Sequence, residues 1–210
     1  MFFCAMTTIL IDIASRENLL PLTFTRPVAD LRIGILKISE KWQKYLATAI
    51  SYKTADYLQG KFPYESSAEN LLVNSNILPN PHLIEHIMGL RSGQALYHQD
   101  KMIAAKLEQD HLDAFFDGKV GDLEKLIFPG SFTEINYPED LFKHNHTEIK
   151  ADFELLTKGR TSAGLSASNQ IIGDDIFVEE GVEAEAPTYA RNPKTGERLM
   201  LQDGQWVPAQ

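Results

Sequence analysis

Three observations predict a layered α/β protein with a short β appendage at its C-terminus. Short, β-branched apolar segments alternate with amphipathic stretches over roughly the first 155 of 210 residues, the pattern of strands alternating with covering helices. The composition, 43% hydrophobic and 23% charged, suits one sizeable core and is too apolar for a disordered chain. Beyond residue 168 the pattern gives way to short β-like runs punctuated by Gly-Asp and Glu-Gly.

In order along the chain, residues 7–13 (TTILIDI) read as a largely buried strand. Pro21 and Pro27 keep the next segment extended or looping. Leu31, Ile35, Ile38, Trp42 and Tyr45 then recur at spacings of four, three, four and three, which predicts an amphipathic helix from residue 31. Residues 71–74 are a second strand, and Asn80-Pro81 reads as the N-cap and first residue of a helix burying Leu83, Ile84 and Ile87. Residues 95–98 and 102–107 form a hairpin-like pair, and 126–128 another strand. Tyr137-Pro138 opens a helical stretch reaching about Leu156. Small and polar residues 163–168 follow as a linker, then 169–182, whose two β segments resemble turns of a β-helix. Residues 197–208 read as a hairpin folded at Asp203-Gly204.

Charge and cysteine usage narrow the function classes. Twenty-nine acidic against 20 basic side chains give a net charge of -9, which repels phosphate backbones and argues against nucleic acid as a partner. No stretch approaches the ~20 apolar residues that span a bilayer, so no membrane partner is expected. Cys4, the one cysteine, cannot form an internal disulfide, and no cation stands near it to create a thiolate. A soluble, cytoplasmic protein is the expectation. The chain has no G-x-S-x-G, Walker A or G-x-G-x-x-G segment. His82 and His86 match H-x-x-E-H with zinc-compatible i, i+4 spacing, but no third ligand is evident in so short a motif. His144 and His146, two apart, cannot share a helical face.

Candidate chemistry gathers after the first strand, where open α/β sheets bind ligands. Arg16 and Arg26, with Thr23 and Thr25, would clamp phosphate there; surface or ion-paired arginines are the plain alternative. Asp100 follows the 95–98 strand, where Asp is a common turn residue. Asn145 falls on the helical stripe of Phe142, Ile149, Phe153 and Leu156. A buried amide there needs a partner, and a metal would serve. Equally, Asn145 and Glu148 fit a capping box between two helices.

The run ILIDIASRENLLPLTFTRPVADLRIGILKISEKW, with LLVNSNILP, QDKMIAAKL and INYPEDLFKHNHTEIKADFELLTKGR, resembles a bacterial family of sugar nucleotidyltransferases. That family is related to the bifunctional uridyltransferase/acetyltransferase that forms UDP-N-acetylglucosamine. The resemblance spans roughly residues 7–183, and IIGDDIFVEEGV looks like the entry to that family's left-handed β-helix. It implies a nucleotide-diphosphosugar-transferase-like α/β/α domain over 7–160, a linker and β-helix start over 161–183, and an atypical hairpin tail over 184–210. With at most about one coil before the tail, no acyl transfer is expected. Parent-type enzymes trimerise through the β-helix that this chain mostly lacks, so no oligomeric state is assigned.

The implied reaction joins a nucleoside triphosphate and a sugar 1-phosphate, releases pyrophosphate and uses Mg²⁺. Arg16 and Arg26 would neutralise phosphates as catalytic residues. Thr23, Thr25 and Asn74 would bind substrate, and Asp100 and Asn145 would hold the metal. Better-known relatives carry a Gly-rich loop where this chain has Ala14-Ser15, and Pro-Lys where it has Arg26-Pro27. Those departures make the alternative a catalytically silent sugar-nucleotide-binding or assembly remnant of the same fold.

Overall fold

The structure, a computed structural model, describes residues 6–13, 15–119, 123–165, 173, 175–182, 189–191, 195, 198–202 and 205–208. The chain divides into two compact units, Met1–Leu155 and Leu156–Gln210.

The first unit is built on a six-stranded sheet. Its strands are β1 (Thr7–Ile11), β4 (Ala49–Lys53), β5 (Glu69–Asn74), β6 (Gln94–His98), β7 (Lys101–Glu108) and β8 (Glu124–Ile127). The order is β4-β1-β5-β7-β6-β8, and β7 alone runs antiparallel to the other five. Central strands are apolar on both faces, as sheets covered on both sides require. Leu10, Leu71 and Val73 face a core with Trp42, Leu83 and Ile87, which come from helices α2 (Ile38–Leu46) and α3 (Pro81–Met88). Ile9, Ile11 and Leu72 point the other way, into a smaller core with Leu112 of α4 (Gln109–Phe116). These are the layers the sequence predicts.

Local signals explain most boundaries. Asn80 Oδ1 accepts the Leu83 N–H at 2.9 Å and Pro81 starts α3, as expected of an N-cap followed by proline. At the start of α5 (Pro138–Thr157), Asp140 Oδ2 accepts the N–H groups of Asn136 and Tyr137 at 3.0 and 2.9 Å, the backward half of a capping box. The 95–98 and 102–107 strands are β6 and β7 joined by a tight turn at Gln99-Asp100, with Gln99 at φ 53°.

Two expectations fail. The helix predicted from Leu31 begins at Ile38; before it, β2 (Arg32–Ile33) and β3 (Leu36–Lys37) form a hairpin. Gly34 at φ 75° turns the chain there, and Ile35, placed on the helix's apolar stripe, is exposed. The capping box at Asn145 and Glu148 does not exist, because α5 runs unbroken through both. Its apolar stripe is not buried either: Phe142 is 84% exposed and Ile149 is exposed.

What α5 buries is polar. Asp152 Oδ2 accepts the N–H groups of Ile35 and Leu36 at 2.9 and 3.0 Å, and Asn145 Oδ1 accepts that of Gly34 at 2.8 Å. Lys41, 2% exposed on α2, reaches Glu148 at 2.9 Å and also pairs with Asp152. A Cβ on Gly34 would lie 2.6 Å from Asp152 Oδ2 and 2.8 Å from the Glu148 backbone, so the close approach of hairpin to helix requires glycine. Helix α4 and strand β4 have no counterpart in the sequence reading.

In the second unit, β9 (Tyr189–Arg191), β10 (Arg198–Gln202) and β11 (Gln205–Pro208) form an antiparallel sheet in the order β11-β10-β9. Gln202 pairs with Gln205 across the predicted hairpin, whose turn residues Asp203 and Gly204 lie outside the described residues. So do Cys4, Ala14, residues 166–168 of the linker and residues 169–172 of the predicted β-helix entry. Residues 175–182 form no strand. Among the described residues, no helix is long and apolar enough to cross a membrane.

Candidate functional site

Beyond the carboxyl ends of β1, β5 and β6 lies a cleft of about 670 Å³, a volume typical of small-molecule sites. Ile13 from the chain after β1, Asn74 at the end of β5, and the turn from Tyr97 to Met102 line it, together with Asn76, Glu134 and Asn136. This is the edge at which open α/β sheets bind ligands.

Two buried amide oxygens distinguish the floor. Asn74 Nδ2 donates to Met102 O at 3.4 Å, and Asn76 Nδ2 to Asn136 Oδ1 at 2.7 Å. Their Oδ1 atoms are screened from solvent and have no partner among the described residues, and the residues are only 4% and 1% exposed. A buried acceptor left unsatisfied costs about 1–3 kcal/mol, so two at one cleft point to a ligand that donates to them.

The chain after β1 is organised by Asp12, whose side chain is 2% exposed. It accepts Thr54 Oγ1 at 2.6 Å, Ser75 Oγ at 2.7 Å and the Val28 N–H at 3.2 Å, and Arg16 Nε stands 3.8 Å away. One carboxylate thereby ties the segments that follow β1, β4 and β5 to residue 28. Burial pushes its pKa above the ordinary aspartate value; the hydrogen bonds from Thr54, Ser75 and Val28 and the Arg16 charge oppose that rise without cancelling it.

Against this geometry the sequence-predicted residues separate. Arg16, on the short helix α1 (Ser15–Asn18), is largely engaged inside the loop. Its Nη2 donates to Thr23 O at 2.8 Å and Tyr57 Oη at 2.5 Å, and its guanidinium lies over the Tyr57 ring. Thr23 is fully buried and returns a hydrogen bond to Arg16 O at 2.9 Å. Arg26 and Thr25 are exposed, and Arg26 makes no ion pair among the described residues. Asn74 and Asp100 line the cleft together. Asn145 is not among its lining residues, and its Oδ1 is taken by the Gly34 N–H.

His82 and His86 stack edge to face at 4.7 Å and pack on Phe128, and His86 Nδ1 meets His82 O at 2.9 Å. They form an aromatic packing cluster. Among the described residues, no three His, Cys, Asp or Glu side chains gather as a metal cluster.

Sequence reasoning missed Asn76, Glu134 and Asn136. Asn76 stands two residues beyond Asn74 in LLVNSNILP, and a second amide directly after an apolar strand was the available signal. The other two reach the cleft through pairing remote in sequence: Ile135 N donates to Asn76 O at 2.8 Å and Leu78 N to Thr133 O at 2.9 Å.

Residues 8–161 match the family described as sugar nucleotidyl transferase. No curated protein matches the chain. Among solved structures, it is similar to a protein described as a glucose-1-phosphate thymidylyltransferase from Bacillus anthracis, at 11% identity and a TM-score of 0.46 over 69% of this chain and 96% of that one. It is also similar to the CTP:phosphocholine cytidylyltransferase of Streptococcus pneumoniae, at 13% identity and a TM-score of 0.38 over 68% of this chain and 99% of that one.

Proposed function

We propose, from the premise that this chain belongs to the sugar nucleotidyl transferase family, that it transfers a nucleotidyl group from a nucleoside triphosphate to a sugar 1-phosphate. The observation that carries the reading is the cleft at the carboxyl ends of β1, β5 and β6, floored by two amide oxygens without a partner among the described residues. A phosphate oxygen of the sugar 1-phosphate attacks the α-phosphorus, the bond to the bridging α,β-oxygen breaks, and pyrophosphate leaves with its electron pair. No protein nucleophile is required, so orientation and neutralisation of charge carry the rate.

Arg26, exposed on the loop after β1, is the cation available to meet phosphate oxygens. Arg16 acts one step back, holding the Thr23 and Tyr57 contacts that shape that loop. For Mg²⁺ the lining is chemically suitable: Asp100 supplies a carboxylate, a hard donor of the kind this ion takes one or two at a time. When bound, the ion would neutralise developing charge on the phosphates. The proposal retains Asp100 as its protein ligand and leaves Asn145 in its hairpin contact.

A second reading, a sugar-nucleotide-binding protein without turnover, is favoured by one observation: the arginine after the first strand is turned inward. Pyrophosphate release with Mg²⁺, four nucleoside triphosphates and a panel of sugar 1-phosphates separates the two. The expected result is release that needs both substrates and falls about 100-fold in Asp100→Asn and in Arg26→Ala, the usual scale for losing one charge-stabilising group. Melting temperatures should hold, because both side chains are exposed. A nucleotide-induced thermal shift without release supports the second reading. Neither shift nor release contradicts both.

A further inference from the structure

The floor of the cleft contains a directional chain of hydrogen bonds that the transfer reaction leaves unexplained. Lys101 Nζ and Asn136 Nδ2 both donate to Glu134 Oε2, the amide over 2.9 Å. A carboxylate only accepts, so the Asn136 amide must turn its nitrogen toward Glu134 and its oxygen away. That oxygen accepts Asn76 Nδ2 over 2.7 Å, which leaves Asn76 Oδ1 as the open end of the chain. An asparagine amide has nearly the same shape either way round, so partners decide its sense; here each link permits one sense only.

The backbone fixes the spacing of the chain. Ile135 N donates to Asn76 O at 2.8 Å, and Asn136 N to Asp140 Oδ2 at 3.0 Å. Asn74 is oriented separately, by its bond to Met102 O, and ends in a second open oxygen. Charge agrees with polarity. The charged lining groups are Asp100, Glu134 and Lys101, and Lys101 is already paired with Glu134. A phosphate entering here meets acceptors and excess negative charge, whereas a hydroxyl meets its complement.

We infer that Asn136 is a positioning residue that holds Asn76 as a hydrogen-bond acceptor, and that the floor of the cleft thereby selects the hydroxyl-bearing face of a sugar rather than a phosphate. This rests on the reading of the cleft as the nucleotidyl transfer site. It assigns the phosphates to the loop after β1, which carries the exposed Arg26, and the sugar ring to Asn74 and Asn76.

The test is calorimetric titration of the full chain, unmodified and as Asn136→Leu. The probes are inorganic phosphate, Mn²⁺, the 1-phosphates of glucose, galactose, mannose and N-acetylglucosamine, and the monodeoxy forms of the best binder. Asn136→Leu should weaken the sugar phosphate about tenfold and leave inorganic phosphate unchanged. One deoxy sugar should lose the same factor on the unmodified protein and nothing further on the variant, since both changes remove one contact.

Losses that multiply for every deoxy sugar would overturn the inference. So would equal weakening of inorganic phosphate, or a loss confined to Mn²⁺ binding, which would give the floor to a cation. If no sugar phosphate binds the unmodified protein, the reading of the cleft itself fails. Asn74→Leu removes the second oxygen without touching the chain; should Asn136→Leu not fold, it must show the same pattern with a different hydroxyl.

Discussion

Lys41→Met is expected to destabilise the first unit by about 3–5 kcal/mol, the usual consequence of removing one partner from a buried ion pair. Lys41 is 2% exposed, and its ammonium is shared between Asp152 and Glu148. Methionine fills a similar volume, so the loss comes from charge and not from a void. It leaves the Asp152 carboxylate, 3% exposed, with only the N–H groups of Ile35 and Leu36. Against a total stability of about 5–15 kcal/mol for an ordinary domain, that is a large fraction.

Pairing Lys41→Met with Asp152→Leu should recover only part, even though buried ion pairs often tolerate joint apolar replacement. Here the leucine would orphan two backbone donors of the β2–β3 hairpin. Urea unfolding midpoints for the single and double variants check this. A Lys41→Met loss below 1 kcal/mol would show that the network does not hold hairpin to helix.

Asp12→Ala is expected to cost a similar 3–5 kcal/mol, and to disorder the loop after β1 as well. Three donors lose their acceptor together, the hydroxyls of Thr54 and Ser75 and the Val28 N–H, and the Arg16 guanidinium loses its ion-pair partner. Asp12 also leaves a signature in pH. Its folded pKa is raised by burial above the unfolded value of 3.8, so between those two values the folded state binds the extra proton.

Its contribution to stability is therefore fully present below 3.8, falls as pH rises through the raised folded pKa, and is flat beyond. Asp140 runs in the opposite sense. Desolvation, the largest single effect there, is outweighed by the hydrogen bonds from Tyr137 and Asn136 together with Lys143, so its pKa is lowered. The stability it adds is present above 3.8 and is lost as pH falls through the lowered value. Unfolding free energies across this acid range, for unmodified protein and Asp12→Asn, isolate the first component. An unchanged profile in Asp12→Asn would contradict the account of the Asp12 hub.

Where side-chain period and local chemistry agree, the sequence is easily read. The β-branched run of β1, the apolar-rich hairpin of β6 and β7, and the Asn80-Pro81 start of α3 each obey one rule. The β2–β3 hairpin does not, because Leu31, Ile35 and Ile38 satisfy a helical period as well. The turn is decided by Gly34, whose need for φ 75° and for contact with α5 is visible only in three dimensions. In α5 the apolar stripe misleads because the face that meets the β2–β3 hairpin and α2 is polar, through Asn145, Glu148 and Asp152.

The site divides in the same way. Asn74 and Asp100 lie at strand ends, where a general rule of α/β sheets finds them. Arg16 has the chemistry of a phosphate ligand but is drawn inward by Asp12 and Tyr57, contacts that no spacing in the loop discloses. Asn136 matters only because residues 133–136 lie along 76–78, a pairing across some sixty residues of chain.

The most direct test of the central claim, that substrate occupies the cleft at the carboxyl ends of β1, β5 and β6, is amide hydrogen exchange with and without a nucleoside triphosphate, a sugar 1-phosphate and Mg²⁺. Protection should rise in residues 73–77, 97–102 and 133–137 and stay unchanged where α2 meets α5. Protection confined to other segments, together with measurable pyrophosphate release, would place the active site elsewhere and contradict the account.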